Sequence, residues 1–443
     1  MLEGPLLPSI ISYTIPIILT SVLQLLFNAA DLVIVGQFKG SICVGAVGAT
    51  GSITNLIVNL FIGLSVGTGV TVAHGIGAQE HSVVHKTVHT AIPTALVSGV
   101  VLTVVGVTFA ESFLRWMDTP ADVLPLSALY MKIYFCGITF TMIYNFCASI
   151  LRAAGDTKSP LIFLAISGVL NVALNVVFVT VFDMDVDGVA LATILSQALS
   201  AALVVIALMR RTDACKLELR KIKFYGQQLG KILRIGLPAG IQGSLFSISN
   251  VLIQSSINSF GEVFVAGSAA AGNIEGFVYV SMNAFSQTAV NYVGQNAGAR
   301  QYDRVRKTLW ICIGCALAVG VFMAAGIYAA GPQLLSIYIN DSAQAIADGM
   351  LRLTWVLLPY GICGIMDATT GALRGLGASV APMVISVLGV CVLRIGWIMT
   401  LFRAHHTPEV LFVSYPISWA VTFAAQLLAF LFVYKKQAAK RLS

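Results

Sequence analysis

Twelve long apolar stretches constrain the fold of this chain more than any other feature. Each is long enough for a helix to cross the hydrocarbon core of a bilayer, which takes about 17 to 25 residues. Of 443 residues, 57% are apolar and 10% are charged, whereas about a quarter are charged in an ordinary soluble protein. We therefore predict an all-α polytopic membrane protein with twelve transmembrane helices, near 10–36, 46–73, 88–110, 124–148, 160–182, 188–209, 232–257, 265–293, 308–330, 350–372, 380–402 and 410–434.

Basic residues are distributed unevenly between the loops that join these stretches. Twenty of the 26 Lys and Arg residues fall on the side that holds both termini, eight of them between 210 and 234. The opposite loops hold only Lys39, Arg115 and Arg403. Because cytoplasmic loops carry the excess of Lys and Arg, both termini are predicted to be cytoplasmic. The basic loop is interpreted as a topological signal and a lipid-facing surface, and we expect no nucleic-acid partner.

The chain reads as two copies of one unit. A shift of 222 positions places ISYTIP (11–16) on LRIGLP (233–238) and LRAAGDTKSP (151–160) on LRGLGASVAP (373–382). A shift of 221 aligns GAQEHSVVHKT (77–87) with GARQYDRVRKT (298–308). Six spans per copy make the repeats parallel, which predicts two pseudo-symmetric six-helix lobes and favours alternating access.

The predicted domains follow from this division. The N-terminal six-helix lobe takes residues 1–209, and a cytoplasmic linker loop takes 210–231. The C-terminal six-helix lobe takes 232–434, and 435–443 form a cytoplasmic tail.

One acidic residue interrupts the first span, in LQLLFNAADLVIVG (23–36). A charged Asp at the centre of a membrane helix costs about 2.5 to 3.5 kcal/mol on insertion scales. Asp31 therefore needs a function or a local partner. Fifteen residues earlier, Pro16 removes a backbone hydrogen bond, and we predict a helix hinge there.

Several motifs resemble the multidrug and toxic compound extrusion family. They are LEGPLL at the start, the proline of span 1, the D-x-x-x-x-G of Asp31 to Gly36, the doubled L-R-x-x-G loops, VGQNAGA (293–299), and NVALNVVF (171–178) followed by GVALATILSQ (188–197). The resemblance covers nearly the whole chain. It implies a two-lobed, cation-coupled exporter in a bacterial inner (plasma) membrane, with no cofactor beyond the coupling ion. We expect a monomer.

The resemblance also implies a cation site in the N-terminal lobe, at Asp31, Asn171, Asn175 and Thr193. Some members of the family carry Asp at the position of Asn175. The residue types agree, since one carboxylate, two amides four residues apart and one hydroxyl offer the oxygen ligands that suit Na⁺ or a proton. No other metal is expected. The alternative is that the Asn and Thr side chains only hydrogen-bond a buried Asp to hold helices together.

The second lobe does not repeat this site. At the 222 offset the four positions become Ile253, Leu393, Trp397 and Tyr415, so one coupling site is expected. This lobe carries three other charged residues within spans, Glu275, Asp367 and Arg394. They are predicted either to line a substrate cavity or to form an ion-paired cluster, with Arg394 paired to one acid.

Three histidines lie on one helical face at the start of span 3, namely His81, His85 and His89. Their spacing would suit a metal, but no carboxylate completes a site. We interpret them as solvated surface.

The leading hypothesis is an antiporter that exports amphipathic, mostly cationic organic compounds in exchange for H⁺ or Na⁺. The alternative transporter is a lipid-linked saccharide flippase of the related superfamily, which would favour a strongly cationic cavity. A membrane-embedded enzyme would need a catalytic constellation inside the bilayer. All six histidines lie in loops or at helix ends, so we predict that the chain is not an enzyme.

Overall fold

The computed structural model describes residues 1–339 and 342–439, and its long regular elements in that part of the chain are helices. Residues 440–443 of the predicted tail lie outside the described residues. In chain order the α-helices are α1 (Leu6–Lys39), α2 (Ser41–Gly77), α3 (His81–Trp116), α4 (Leu124–Cys136), α5 (Ile138–Ala153), α6 (Lys158–Thr180), α7 (Val186–Met209), α8 (Gly226–Asn258), α9 (Glu262–Gly298), α10 (Tyr302–Ala329), α11 (Gly331–Tyr338), α12 (Ala343–Arg352), α13 (Tyr360–Gly375), α14 (Val380–Ser386), α15 (Leu393–Trp397) and α16 (Pro408–Ala439).

Length and composition confirm the all-α polytopic fold. Within the described residues, nine helical segments are long and apolar enough to cross a membrane, and two bent helix pairs raise the number to 11. α14 and α15 form one of the nine, since π-helical turns join them into a continuous span from Val380 to Phe402. The 33-residue α8, which is richer in polar residues, is the twelfth long segment.

Two spans that the sequence analysis treated as continuous are broken. α4 and α5 meet at an angle of 48°, and Ala343–Leu357 meets Tyr360–Gly375 at 42°. The residues at the breaks, Gly137 and Pro359, are 222 positions apart. Glycine weakens a helix by its backbone entropy, and proline lacks the amide hydrogen that the helix needs. The two repeats therefore share a bend that different residues produce.

The internal repeat is also visible in single backbone angles. Gly155 and Gly377 have φ of 94° and 80°, and they are 222 positions apart. Gln79 and Arg300, 221 positions apart, have φ of 58° and 57°. Left-handed φ values are uncommon for residues other than glycine, so their recurrence at a fixed offset supports the repeat.

Contacts group the chain into two compact units. One unit is Ile15–Ser244, and the other is Met1–Thr14 together with Leu245–Ser443. The first unit holds α1 from Ile15 onward, α2 to α7, and α8 as far as Ser244. Within it α2, α3 and α5 pack against one another, and α6 packs against α7. In the second unit α9 packs against α10, α12 and α13. The lobe bounds 1–209 and 232–434 stay a prediction.

Small residues allow close helix packing in the first unit. A Cβ atom at Gly63 of α2 would overlap the backbone of Gly240 in α8, and one at Gly240 would overlap the carbonyl of Leu60. Because lipid tails are as apolar as leucine, membrane helices associate through such close contacts rather than by the hydrophobic effect.

The segment after α7, residues 210–225, is docked on the first unit, and we call it the linker segment. Cys215 and Leu217 are buried, and the Leu217 amide donates to the Leu208 carbonyl at 3.1 Å. The Arg211 guanidinium donates to Asp213 at 2.5 Å and holds the pKa of that carboxyl below its usual value.

The linker segment is fixed to the start of α3 by His89. The Glu218 amide donates to His89 Nε2 at 3.0 Å, so the ring is neutral there and its Nδ1–H donates to the His85 carbonyl at 2.7 Å. His85 Nε2 lies 3.6 Å from the Glu218 carboxylate. His89 is fully buried, so our interpretation of this histidine as solvated surface is wrong. The reason is that the linker segment covers it.

We predict that His89→Leu loosens the linker segment without unfolding the helices. The substitution removes the acceptor for the Glu218 amide, and a lost hydrogen bond of this kind is worth about 1 to 2 kcal/mol. Trypsin cleavage at Lys216 and Arg220 should then be about 5- to 30-fold faster. The exposed His81 provides the control, and equal cleavage of His81→Leu and His89→Leu would contradict the prediction.

Candidate functional site

A cavity of about 200 Å³ lies between α1, α6 and α7 within the first unit. Its wall is polar along one strip of each helix and apolar elsewhere. The lining residues are Gln24, Phe27, Asn28 and Asp31 from α1, Leu164, Ser167, Gly168 and Asn171 from α6, and Thr193, Ser196 and Gln197 from α7.

Helical spacing places these side chains on the same wall. On α1, Gln24, Asn28 and Asp31 are four and three residues apart, so they lie on one face of the helix. On α6, Ser167 and Asn171 are four residues apart, and Asn175 continues the same face. The cavity is thus the meeting point of polar faces on helices that are otherwise apolar.

Close approach of α1 and α6 depends on Gly168. A Cβ atom at this position would overlap the ring of Phe27. Because glycine lacks that atom, the ring of Phe27 packs directly against the α6 backbone beside the polar residues. The cavity therefore has an apolar wall next to its carboxylate.

Among the residues described, Asp31 has one hydrogen-bond partner, the amide of Asn175. Asn175 Nδ2 donates to Asp31 Oδ1 at 2.5 Å and also lies 3.3 Å from Asn171 Oδ1. Asn175 is fully buried behind the cavity wall, and its Oδ1 has no hydrogen-bond partner among the residues described. A buried acceptor without a donor is costly. The Asn175 amide nitrogen thus links the Asp31 carboxylate to the Asn171 carbonyl oxygen.

Thr193 shares the cavity but is not bonded to Asp31. Its hydroxyl donates to the Val189 carbonyl at 3.0 Å. The structure therefore brings the four predicted residues to one place, with Asp31, Asn171 and Thr193 on the wall and Asn175 behind it.

Five polar residues of this cavity were not predicted from the sequence. They are Gln24, Asn28, Ser167, Ser196 and Gln197. Each lies three, four or seven residues from a predicted site residue on the same helix. That spacing is a signal in the sequence, because polar residues on one face of a membrane helix face protein or water rather than lipid.

Pro16, the predicted hinge, lies within the continuous helix α1. It follows the boundary between the two units, which falls between Thr14 and Ile15. The Thr20 hydroxyl donates to the Pro16 carbonyl at 2.7 Å. Proline at this position leaves the Ser12 carbonyl without its helical donor.

The acids of the second unit differ from expectation in their partners. Glu275 forms a bidentate ion pair with Arg352, with nitrogen-to-oxygen distances of 3.0 and 2.9 Å. Asp367 accepts a hydrogen bond from Asn283 at 3.3 Å. Within the described residues neither acid pairs with Arg394. The prediction that Arg394 pairs with one of these acids is therefore wrong.

Arg394 is instead buried between aromatic rings. Its guanidinium carbon lies 4.2 Å from the centroid of Tyr415 and 5.5 Å from that of Trp419, and its Nε donates to Ser418 at 2.8 Å. Cation–π contacts of a desolvated guanidinium are worth about 2 kcal/mol. Tyr415, Ser418 and Trp419 correspond, at the 222 offset, to Thr193, Ser196 and Gln197. The second repeat thus uses the equivalent helix face to hold an arginine.

The repeat also appears in the comparison with known families. The family model MatE matches residues 16–177 and again residues 238–398. The chain belongs to the MatE family. This confirms the resemblance to the multidrug and toxic compound extrusion family. As a MatE protein, the chain is a multi-pass membrane transporter of small molecules, is not an enzyme and needs no cofactor.

Several MatE relatives match most of the chain. "Probable multidrug resistance protein YpnP" of Bacillus subtilis (strain 168) is 26% identical over 392 residues, 88% of this chain and 87% of the relative. "Probable multidrug resistance protein YoeA" of the same strain is 28% identical over 353 residues, which cover 77% of this chain and 75% of the relative. A solved structure of the "outward-facing conformation of a multidrug resistance MATE family transporter of the MOP superfamily" has a TM-score of 0.90 and 22% identity, covering 100% of this chain and 98% of that one.

We predict that the Glu275–Arg352 pair stabilises the second unit. Glu275→Gln leaves Arg352 buried without its counter-charge, which costs about 3 to 5 kcal/mol. Thermal unfolding in detergent should show a clear drop in Tm. The double variant Glu275→Gln with Arg352→Met should recover most of it, while the exposed Glu262→Gln should leave Tm unchanged. An unchanged Tm for Glu275→Gln alone would exclude this stabilising role.

Proposed function

We propose that this MatE protein exports amphipathic, mostly cationic organic compounds in exchange for H⁺ or Na⁺ by alternating access. The supporting observation is the Asp31 carboxylate, hydrogen-bonded to Asn175 at 2.5 Å beside a cavity of about 200 Å³. Because a carboxylate inside a membrane helix is energetically costly, its presence indicates a functional role.

The chemistry of the site supports a monovalent coupling ion. Asp31 is the only charged side chain among the residues that line the cavity. No group of three or more His, Cys, Asp or Glu side chains that could hold a metal occurs in the described part of the chain. One carboxylate and neutral oxygens suit Na⁺, and the carboxylate alone suits a proton. Either ion would neutralise the same group, so the two ions would compete.

The charge of the cavity favours cationic substrates over a lipid-linked pyrophosphate. A flippase cavity would need Lys or Arg side chains, and none lines this one. The names of the Bacillus subtilis relatives, which refer to multidrug resistance, support organic compounds as the substrates. The phenyl ring of Phe27 beside Asp31 offers an apolar contact next to the charge.

The cellular setting of the proposal rests on charge and connectivity. The excess of Lys and Arg on the side of the termini supports cytoplasmic termini in a bacterial inner membrane. One chain contains both repeats, so we propose that a monomer is the transporting unit. Pro16 is proposed as the hinge of α1, because it interrupts the hydrogen bonding of the helix next to the boundary between the units.

Asp31→Asn is expected to abolish coupled export while leaving the fold intact. The amide keeps the size of the side chain but fixes its charge at zero. Dye efflux in everted vesicles should be measured with a pH gradient and with a Na⁺ gradient, imposed separately. Efflux should fall at least about tenfold under the gradient that drives the wild type, which corresponds to about 1.4 kcal/mol or more.

Two further variants control this experiment. Asp118→Asn removes an exposed loop carboxylate at φ 53°, a backbone angle that asparagine tolerates well, and it should leave efflux unchanged. Asp31→Asn combined with Asn175→Asp transfers the carboxylate to the hydrogen-bonded neighbour of residue 31. This double variant should restore part of the efflux. Full efflux by Asp31→Asn at wild-type expression would disprove the proposed role of Asp31.

Pro16→Ala should slow export without weakening ion binding. Alanine restores an amide hydrogen that can bond to the Ser12 carbonyl, so α1 becomes stiffer at the proposed hinge. The efflux rate and the shift of Tm by Na⁺ should be measured together. Pro93→Ala, in the interior of α3, is the matched control. Equal slowing by both substitutions would argue against a specific hinge at Pro16.

A further inference from the structure

The second unit carries an open groove of about 750 Å³ to which the proposed antiport assigns no role. One wall is the N-terminal segment, residues 4–8, and the other is the start of α10. The α10 wall contributes Arg304, Arg306, Lys307, Trp310 and Ile311. The groove thus combines three cations with apolar side chains.

Of these three cations, only Arg304 forms hydrogen bonds with residues that the structure describes. Arg304 donates to the carbonyl oxygens of Met1 and Gly4 at 3.1 Å and to Asn296 Oδ1 at 3.2 Å, and so fixes the N-terminal segment. Arg306 and Lys307 are exposed. Neither of their side chains forms an ion pair or a hydrogen bond with the part of the chain that the structure describes. Two adjacent positive charges therefore remain without an acceptor at the mouth of the groove.

The repeat shows what covers the equivalent surface in the first unit. At the 221 offset, Arg306, Lys307 and Trp310 correspond to His85, Lys86 and His89. There the linker segment supplies the partners: His85 lies 3.6 Å from the Glu218 carboxylate, and His89 accepts from the Glu218 amide. Lys86 lies 6.0 Å from the ring of Tyr225. The linker segment is basic as a whole, but at this surface it places the Glu218 carboxylate and the ring of Tyr225.

We propose that an anionic phospholipid occupies the groove of the second unit, with its phosphate held by Arg306 and Lys307. Arginine and lysine in a pocket at the membrane surface are suited to phosphate headgroups. The lipid would supply the negative charge that the Glu218 carboxylate supplies in the first unit.

The apolar part of the groove favours a lipid over free phosphate. Leu7 and Trp310 are 48% and 49% exposed, so large apolar surfaces stand beside the cations. Tryptophan is enriched at the level of the lipid headgroups, where one end of the ring is apolar and the other meets water. A soluble anion would leave both side chains uncovered, whereas acyl chains would cover them.

Lipid binding in the groove can be tested by following the fluorescence of Trp310. Phosphatidylglycerol with brominated acyl chains is titrated into the full-length protein in detergent, and quenching of tryptophan fluorescence is followed. The difference between wild type and Trp310→Phe isolates the signal of the groove from the other four tryptophans. We expect saturable quenching by phosphatidylglycerol and at least about tenfold weaker binding of brominated phosphatidylcholine.

Charge variants identify the headgroup contact. Arg306→Gln with Lys307→Gln should weaken phosphatidylglycerol binding about 10- to 30-fold, whereas Arg306→Lys, which keeps the charge, should bind nearly as well as the wild type. Lys435→Gln with Lys436→Gln removes the same charge from exposed positions of α16 outside the groove and should change binding less than about threefold.

Three results would overturn the proposal. They are equal binding of phosphatidylcholine and phosphatidylglycerol, equal weakening by the two double variants, and full displacement of the brominated lipid by inorganic phosphate or by glycerophosphoglycerol. The last result would make a soluble phosphate the occupant. Dye efflux is not a readout here, so the outcome is independent of the proposed antiport.

Discussion

Hydrocarbon offers no hydrogen bonds, and the membrane-spanning part of the molecule depends on this constraint. Backbone amides and carbonyls inside a bilayer must bond within their own helices, so the fold is a set of long helices joined by short turns. Polar side chains within the spans need partners on neighbouring helices for the same reason. Asp31 has Asn175, Glu275 has Arg352, and Arg394 has Ser418 with two aromatic rings.

Much of the fold could be predicted because helices that cross hydrocarbon must be long and apolar, which the composition of the sequence shows directly. Long apolar runs give the spans, and the offset of 222 gives the repeat. The breaks at Gly137 and Pro359 escaped prediction because an apolar run reads the same whether its helix is straight or bent. The docking of the linker segment also escaped, because one backbone amide bonding to His89 leaves no pattern in a loop rich in charges.

The candidate site and the charged residues of the second unit could likewise be predicted only in part. Asp31 stands out because acids are rare in apolar spans, whereas Asn171, Asn175 and Thr193 were implied by the family resemblance. The prediction that Arg394 pairs with an acid is wrong, because the arginine that pairs with Glu275 is Arg352, at 2.9 Å. Side-chain reach across helices decides such pairings, and the distance along the chain carries no information about it.

A single carboxylate in the N-terminal cavity has an electrical consequence for the proposed antiport. One negative charge is neutralised by one monovalent ion, so an exchange of one H⁺ or Na⁺ for one singly charged drug moves no net charge. Each elementary charge that crosses the membrane exchanges about 2.3 kcal/mol per 100 mV with the membrane potential. For such a substrate the cycle would be indifferent to voltage and driven by concentration alone, whereas for a neutral substrate the inward ion would carry current.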